Sequence, residues 1–154
     1  METLTTSVLG DDAAWAVYDQ WPDPRYRYVL GRRWDPALPL VVFCLLNPSK
    51  ATHVVVVDDD GLDPTMRRTD DYARVWGFGG FITLNAYAWI STDPKGLPRL
   101  DGRPATRAIG PANDLQIQQH ASSLPVVTGW GVGLPSDSER RLYELRASVT
   151  NDIY

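Results

Sequence analysis

Leu40-Val41-Val42-Phe43-Cys44-Leu45-Leu46-Asn47-Pro48-Ser49 is the stretch on which the reading of this chain turns. A short apolar run that stops at Asn-Pro is the pattern of a buried strand delivering a polar turn. Proline cannot donate to a β-ladder and pushes the residue before it out of the helical region, so the strand ends there. Asn47 is therefore expected at the carboxyl end of a central strand, which is where open α/β sheets place their ligands.

Working outward, Tyr26-Arg27-Tyr28-Val29-Leu30 alternates aromatic and polar residues before Gly31. It predicts a half-exposed strand pairing with the 38–46 strand across a turn at Asp35-Pro36. Phe81-Ile82-Thr83-Leu84-Asn85-Ala86-Tyr87 predicts a second apolar strand that also ends near an asparagine, and Pro125 to Gly131 predicts a third. Between them Asp63-Pro64 opens a helix whose apolar stripe is Met66, Tyr72, Ala73 and Trp76, with Gly77 as a left-handed stop. Pro111 starts a second helix running to about His120, and Ser136 caps a last one with Leu142, Leu145 and Val149 inward. The stretch from Ser49 to Leu62 is a loop carrying a valine run, Val54 to Val57, and residues 91–110 form a long surface loop. Strands alternating with helices imply a mostly parallel central sheet covered on both faces, a three-layer α/β/α sandwich. One domain spans 1–154, with residues 1–20 the part least tied to this pattern. In a parallel sheet the ends at Asn47, Asn85 and Trp130-Gly131 lie side by side, so scattered motifs become one candidate pocket.

Composition narrows the functions available. A net charge of -4 argues against a protein that coats nucleic acid through a wholly basic face. Local basic residues remain at Arg25, Arg27, Arg32 and Arg33, then at Arg67 and Arg68. A lone cysteine, Cys44, allows neither a disulfide framework nor a cysteine metal site. No apolar stretch approaches the roughly 20 residues that span a bilayer. The N-terminus lacks a basic n-region and a long apolar segment, so the expected location is cytoplasmic, without membrane association. No metal is expected: Asp58, Asp59, Asp60 and Asp63 lack the alternation of a calcium loop, because position 56 is valine. No cofactor is expected either, since Trp76-Gly77-Phe78-Gly79-Gly80 follows a helix and precedes a strand, the reverse of a dinucleotide fingerprint.

The chemistry-bearing candidates are amides and aromatics. The Asn47 side chain can hold a water or a base edge but is a poor proton acceptor; the alternative is a strand-end asparagine bonding its own turn. Ser49 has no base at motif spacing, which leaves it as a hydrogen-bonding turn residue beside Pro48 more than a nucleophile. Asn85, in an otherwise apolar strand, needs a polar partner from the protein, water or a ligand. Tyr87, Trp89 and Trp130 are candidates to stack a flipped base, or else core aromatics. Thr65, Arg67 and Arg68, in the first turns of a helix, are candidates to contact phosphate or the DNA backbone, or else an exposed helix face.

These motifs, in order, carry a resemblance. Arg25-Tyr26-Arg27-Tyr28, Leu46-Asn47-Pro48-Ser49, Asp63-Pro64-Thr65, Trp76-Gly77-Phe78-Gly79-Gly80, Leu84-Asn85 and Trp130-Gly131 resemble the bacterial and phage family known as domain of unknown function 1643. The resemblance covers most of residues 25 to 146 and implies kinship without a reaction. More distantly, the order of elements is similar to that of the uracil-DNA glycosylase superfamily. That resemblance implies a catalytic Asn47 orienting water, Asn85 reading a base, and a substrate site of Pro48, Ser49, Tyr87, Trp130 and Gly131. Thr65, Arg67 and Arg68 would contact phosphate, and DNA or a nucleotide would be the partner, in DNA repair or modification. Glycosylases also carry a late His-Pro loop, whereas the histidines here are His53 and His120. The resemblance therefore leaves two expectations open: a base N-glycosylase, or an inactive relative that binds a protein or small ligand.

Overall fold

A computed structural model describes residues 4–9, 14–48, 64–91, 96–100, 103–104, 106–129 and 138–148. Its main sheet has six strands: β1 (Thr5–Leu9), β2 (Ala14–Tyr18), β3 (Arg27–Arg33), β4 (Leu40–Leu45), β5 (Gly80–Asn85) and β8 (Val126–Thr128), in the spatial order β1-β2-β3-β5-β4-β8. β6 (Arg99–Leu100) and β7 (Arg103–Pro104) form a separate two-stranded ribbon. Among the described residues there are four helices: α1 (Pro64–Val75), α2 (Thr106–Ile109), α3 (Asn113–Ala121) and α4 (Ser138–Ser148).

The α/β class expected from the sequence holds, but the sheet is mixed and not mostly parallel. β1–β2, β2–β3 and β3–β5 pair antiparallel, and only β4–β5 and β4–β8 pair parallel. The expected β3–β4 hairpin does not form either. Both edges of β4 are filled by parallel partners, so β3 pairs with the far edge of β5, from Arg33 opposite Gly80 to Leu30 opposite Thr83. The 34–39 segment wraps the start of β5 instead. Trp34 and Asp35 both donate their amides to the Gly79 carbonyl (2.9 and 3.0 Å), and Gly79 donates to Pro39 (2.8 Å). No side chain fits in that crossing, because a Cβ on Gly79 would lie 2.1 Å from the Asp35 carbonyl oxygen.

The N-terminal residues, without a decisive pattern in the sequence, supply β1 and β2. Ala14, Ala16 and Tyr18 point into the core at every second position, the period of a half-buried strand. The long loop expected over 91–110 contains β6, β7 and α2, with Leu97 and Ala108 buried. The other expected helices stand within a few residues of their forecast ends. β8 is shorter than expected, and the segment from Trp130 to Gly131 lies outside the described residues.

Alternate residues of the strands feed two apolar clusters. Val42, Cys44, Ile82 and Leu84 pack with Ile117 and Ala121 of α3 and with Leu142 and Leu145 of α4. Val41, Phe43, Phe81 and Leu30 pack with Met66 and Ala73 of α1. Full burial of such aliphatic and aromatic side chains contributes about 1.5–3 kcal/mol each before entropy is subtracted.

The buried stripe of α1 is Met66, Thr69, Asp70 and Ala73, an i, i+3, i+4, i+7 series. Tyr72 and Trp76, expected in that stripe, are half-exposed; they stack on each other at 5.1 Å, and Trp76 lies over Phe43 at 6.0 Å. Their two places one turn apart on the flank let the rings cover each other where Asp70 takes the inward place. Asp70 is held there by Arg32 of β3 (2.9 Å) and by Arg74, whose guanidinium also covers Trp34. The helix stops as the sequence predicts. Gly77 adopts φ +83°, with Phe78 N–H donating to Ala73 and Gly77 N–H to Arg74, the paired bonds of a Schellman cap. No described helix is long and apolar enough to cross a membrane.

Candidate functional site

The three parallel strands are adjacent, and their carboxyl ends are in register. Leu45 stands opposite Asn85 and Cys44 opposite Thr128. Pairing continues past the strands: Ala86 and Tyr87 donate their amides to Leu45 and Leu46 (both 2.9 Å), and Gly129 donates to Cys44 (2.8 Å). The exits at Asn47, at Asn85-Ala86 and at Gly129 thus share one rim, the place where a parallel α/β sheet presents ligand groups.

Asn47 is half-buried. Its Nδ2 donates to the Ser91 carbonyl (2.9 Å) and, more weakly, to that of Pro48 (3.3 Å), while Ser91 N–H donates to Pro48 (2.9 Å). The amide therefore clips the exit of β4 to the segment that follows β5. Its Oδ1 accepts no hydrogen bond among the described residues and stays available for a water or a ligand N–H. Pro48 is buried and takes part through its carbonyl alone.

Asn85 is 2% exposed, and its Oδ1 has no hydrogen-bond partner among the described residues. A buried amide oxygen without a donor is costly, on the order of 1–3 kcal/mol, and asks for a water or a ligand. The backbone beside it is held from below by two residues that the sequence reading missed. Asn113, at the start of α3 and fully buried, donates Nδ2 to the carbonyls of Asn85 (2.8 Å) and Ala86 (3.3 Å); its own Oδ1 has no partner among the described residues. Arg141 of α4, also buried, donates Nε to Ala86 (3.0 Å) and Nη2 to Asp114 (2.6 Å). Pro111 opening a helix toward Asn113 was the one available signal, but only the fold says that this helix starts beneath β5.

Tyr87 is 3% exposed and belongs to the core cluster with Ile117 and Leu142. Trp89 is half-buried, with the guanidinium groups of Arg25 and Arg107 each 5.9 Å from its ring centroid. Thr65, Arg67 and Arg68 lie exposed in the first turns of α1. That helix ends just before β5 begins, so its first turn points back toward the rim. Ser49, Trp130 and Gly131 lie outside the described residues, as do His53, the Val54–Val57 run and the aspartates 58–60 and 63.

Among the described residues, neither Cys44 nor His120 is placed to act as a strong base or nucleophile at the rim. Burial pushes the Cys44 thiol up to about 12, against a smaller downward pull from Arg141, so it stays neutral. Burial lowers the pKa of His120, which sits at the far end of α3 from Asn113, about 10 Å along the axis at 1.5 Å per residue. No group of three or more His, Cys, Asp or Glu among the described residues is arranged to hold a metal. What the rim offers is positioning: amide donors and acceptors, aromatic faces and arginines.

These features define a mixed α/β domain whose polar groups gather at the carboxyl ends of a three-strand parallel unit. The chain belongs to the family described as Protein of unknown function (DUF1643), whose profile matches residues 27–152. Comparison with curated proteins and with solved structures found no match.

Proposed function

We propose that the protein binds a nucleobase or nucleotide at the rim formed by β5, β4 and β8, and hydrolyses an N-glycosidic bond of DNA there. The observation that carries this reading is the Asn85 amide: buried, one strand away from Asn47, with an oxygen that lacks a donor among the described residues. A base edge supplies an N–H of the required kind. Asn47 Oδ1 would accept a hydrogen bond from the attacking water. Water adds to the anomeric carbon as the carbon–nitrogen bond breaks, and the base leaves with the electron pair and takes up a proton. A reaction of this kind needs a positioned water more than a strong base, which suits an amide.

The layout supports the more distant glycosylase resemblance to this extent: α1 packs with one set of strand side chains, α3 and α4 with the alternate set. In the full three-layer reading, Ser49, Tyr87, Trp130 and Gly131 line the base, and Thr65, Arg67 and Arg68 steer phosphate. The setting is repair or modification of phage or host DNA in the bacterial cytoplasm. A second reading, a non-catalytic module for a protein or small ligand, is favoured by one observation: Asn47 Nδ2 is spent on the Ser91 carbonyl.

The test is incubation with single- and double-stranded DNA carrying uracil or modified pyrimidines, followed by a search for alkali-labile sites. Cleavage that disappears in Asn47→Ala supports the enzyme. Base binding without cleavage supports a ligand-binding module, and the absence of both cleavage and salt-dependent DNA binding refutes the enzyme and leaves the module standing.

A further inference from the structure

Arg25, Trp89 and Arg107 come from three separate parts of the chain and meet at the edge of the same rim. Trp89 follows β5, Arg25 precedes β3, and Arg107 lies in α2. Backbone bonds stitch the three together. Ile90 donates to Arg25 (3.0 Å), Trp89 to Ala108 (3.1 Å), Ala88 to Ile109 (3.1 Å) and Arg27 to Ala88 (3.0 Å). Tyr26 adds two braces: its hydroxyl donates to the Arg107 carbonyl at 2.7 Å, and its ring meets Trp89 edge-on at 5.6 Å.

Among the described residues the two arginines have no counter-ion. Arg32 and Arg74 bond Asp70, Arg140 bonds Glu144, and Arg141 bonds Asp114. Arg25 and Arg107, both exposed, bond no carboxylate among the described residues. Asp23, two residues before Arg25, bonds no guanidinium among the described residues, and Asp19, six residues before it, spends one oxygen on the Arg25 and Tyr26 amides (2.9 and 3.0 Å). Two like charges gathered on one indole raise the local positive potential in a protein whose net charge is -4. A fork of guanidinium donors beside an aromatic face is the combination that takes a phosphate with a ring attached.

We propose that Arg25, Trp89 and Arg107 form a phosphate subsite for a nucleotide ligand, distinct from the arginines of α1. The identity of the anion rests on the nucleotide reading given above, while the cation pair does not. The phosphate comes either from a free nucleotide or from the backbone of a single strand, and the test separates the two.

Binding of thymidine, thymidine monophosphate, inorganic phosphate and a fluorescent oligo-dT would be measured at several salt concentrations. The proteins would be the wild type, Arg25→Ala/Arg107→Ala, Arg25→Lys/Arg107→Lys and Arg67→Ala/Arg68→Ala, with circular dichroism confirming that each folds. The expected result is that Arg25→Ala/Arg107→Ala weakens phosphate-bearing ligands by roughly tenfold or more. It should also flatten the oligo-dT salt slope by about 1.4, for two lost single-strand phosphate contacts. Thymidine binding should be unchanged by these changes, and the lysine pair should recover part of the loss. A preference for the monophosphate assigns a free nucleotide, and a preference for oligo-dT assigns a strand; both support the subsite. Phosphate-dependent binding without thymidine binding upholds the subsite and removes the base site. The proposal is overturned if no phosphate-bearing ligand binds the wild type or if the alanine pair binds them unchanged. It is overturned equally if the whole loss follows Arg67→Ala/Arg68→Ala, or if polyglutamate competes as well as oligo-dT.

Discussion

Replacing Asn113 probes whether the rim is built by the helix beneath it. In Asn113→Ala the Asn85 carbonyl loses a donor at 2.8 Å, whereas the Ala86 carbonyl loses a weaker one at 3.3 Å and keeps Arg141 Nε at 3.0 Å. One carbonyl is therefore stripped of its side-chain donor. Set against that, the change removes an Oδ1 that lacks a partner among the described residues. The balance, with a small cavity at a fully buried position, comes to about 1–3 kcal/mol of lost stability. In a chain of 154 residues each kcal/mol lowers Tm by about 2–4 °C. Asn113→Asp is the sharper test. It keeps the volume but puts a carboxylate oxygen against two carbonyl oxygens, so at neutral pH it must destabilise more than alanine does. Burial raises the pKa of such an aspartate above its unfolded value. Its neutral form is then favoured by folding, and the aspartate variant should regain stability as pH falls, when the carboxyl can donate. Urea denaturation at neutral and mildly acidic pH measures both trends, and amide exchange at Ala86 and Tyr87 reports the local loosening. If Asn113→Asp is as stable as Asn113→Ala at neutral pH, or if both match the wild type, the bracing of β5 by α3 is refuted.

Other expectations follow from single contacts. Because Cys44 is raised from 9.0 to about 12, the unfolded chain releases a proton above pH 9 that the folded chain keeps. Stability should be unaffected by this group below pH 9 and fall by about 1.4 kcal/mol per unit between the two values, an alkaline slope absent in Cys44→Ala. Gly79→Ala forces a Cβ to within 2.1 Å of the Asp35 carbonyl oxygen and should cost about 1–3 kcal/mol or more, read from the denaturation midpoint; an unchanged midpoint would refute the tight crossing. Asp70→Asn removes the charge holding Arg32 and Arg74, of which Arg74 is well exposed, so a loss of about 1–3 kcal/mol is expected, with most of it gone if Arg32 is also replaced.

Asn47 and Asn85 were legible as strand-end polar residues because the apolar runs before them leave no other reading, and β4 and β5 do deliver them to one rim. The helix stop at Gly77 was equally legible, since a local φ requirement is a property of the residue itself. The mixed character of the sheet was not, because pairing is chosen between strands distant in the chain. A strand's own pattern says which face is buried, not which neighbour it meets. β3 could have joined β4 by the short turn at Asp35-Pro36, but two parallel partners already occupy β4, and its next free edge lay across β5.

The same division runs through the site. The residues themselves determined that the chain is α/β, that its one thiol is buried, and that amides and aromatics, not acids or metal ligands, end the central strands. Only tertiary structure brought Asn113 and Arg141 beneath β5, spent the Asn47 amide on Ser91, and set Arg25 and Arg107 on the Trp89 ring. The physical reason is reach. Apolar periodicity and backbone preference act over a few neighbouring residues, whereas a buried carbonyl or an unpaired guanidinium takes its partner from whatever the fold carries within about 3–6 Å.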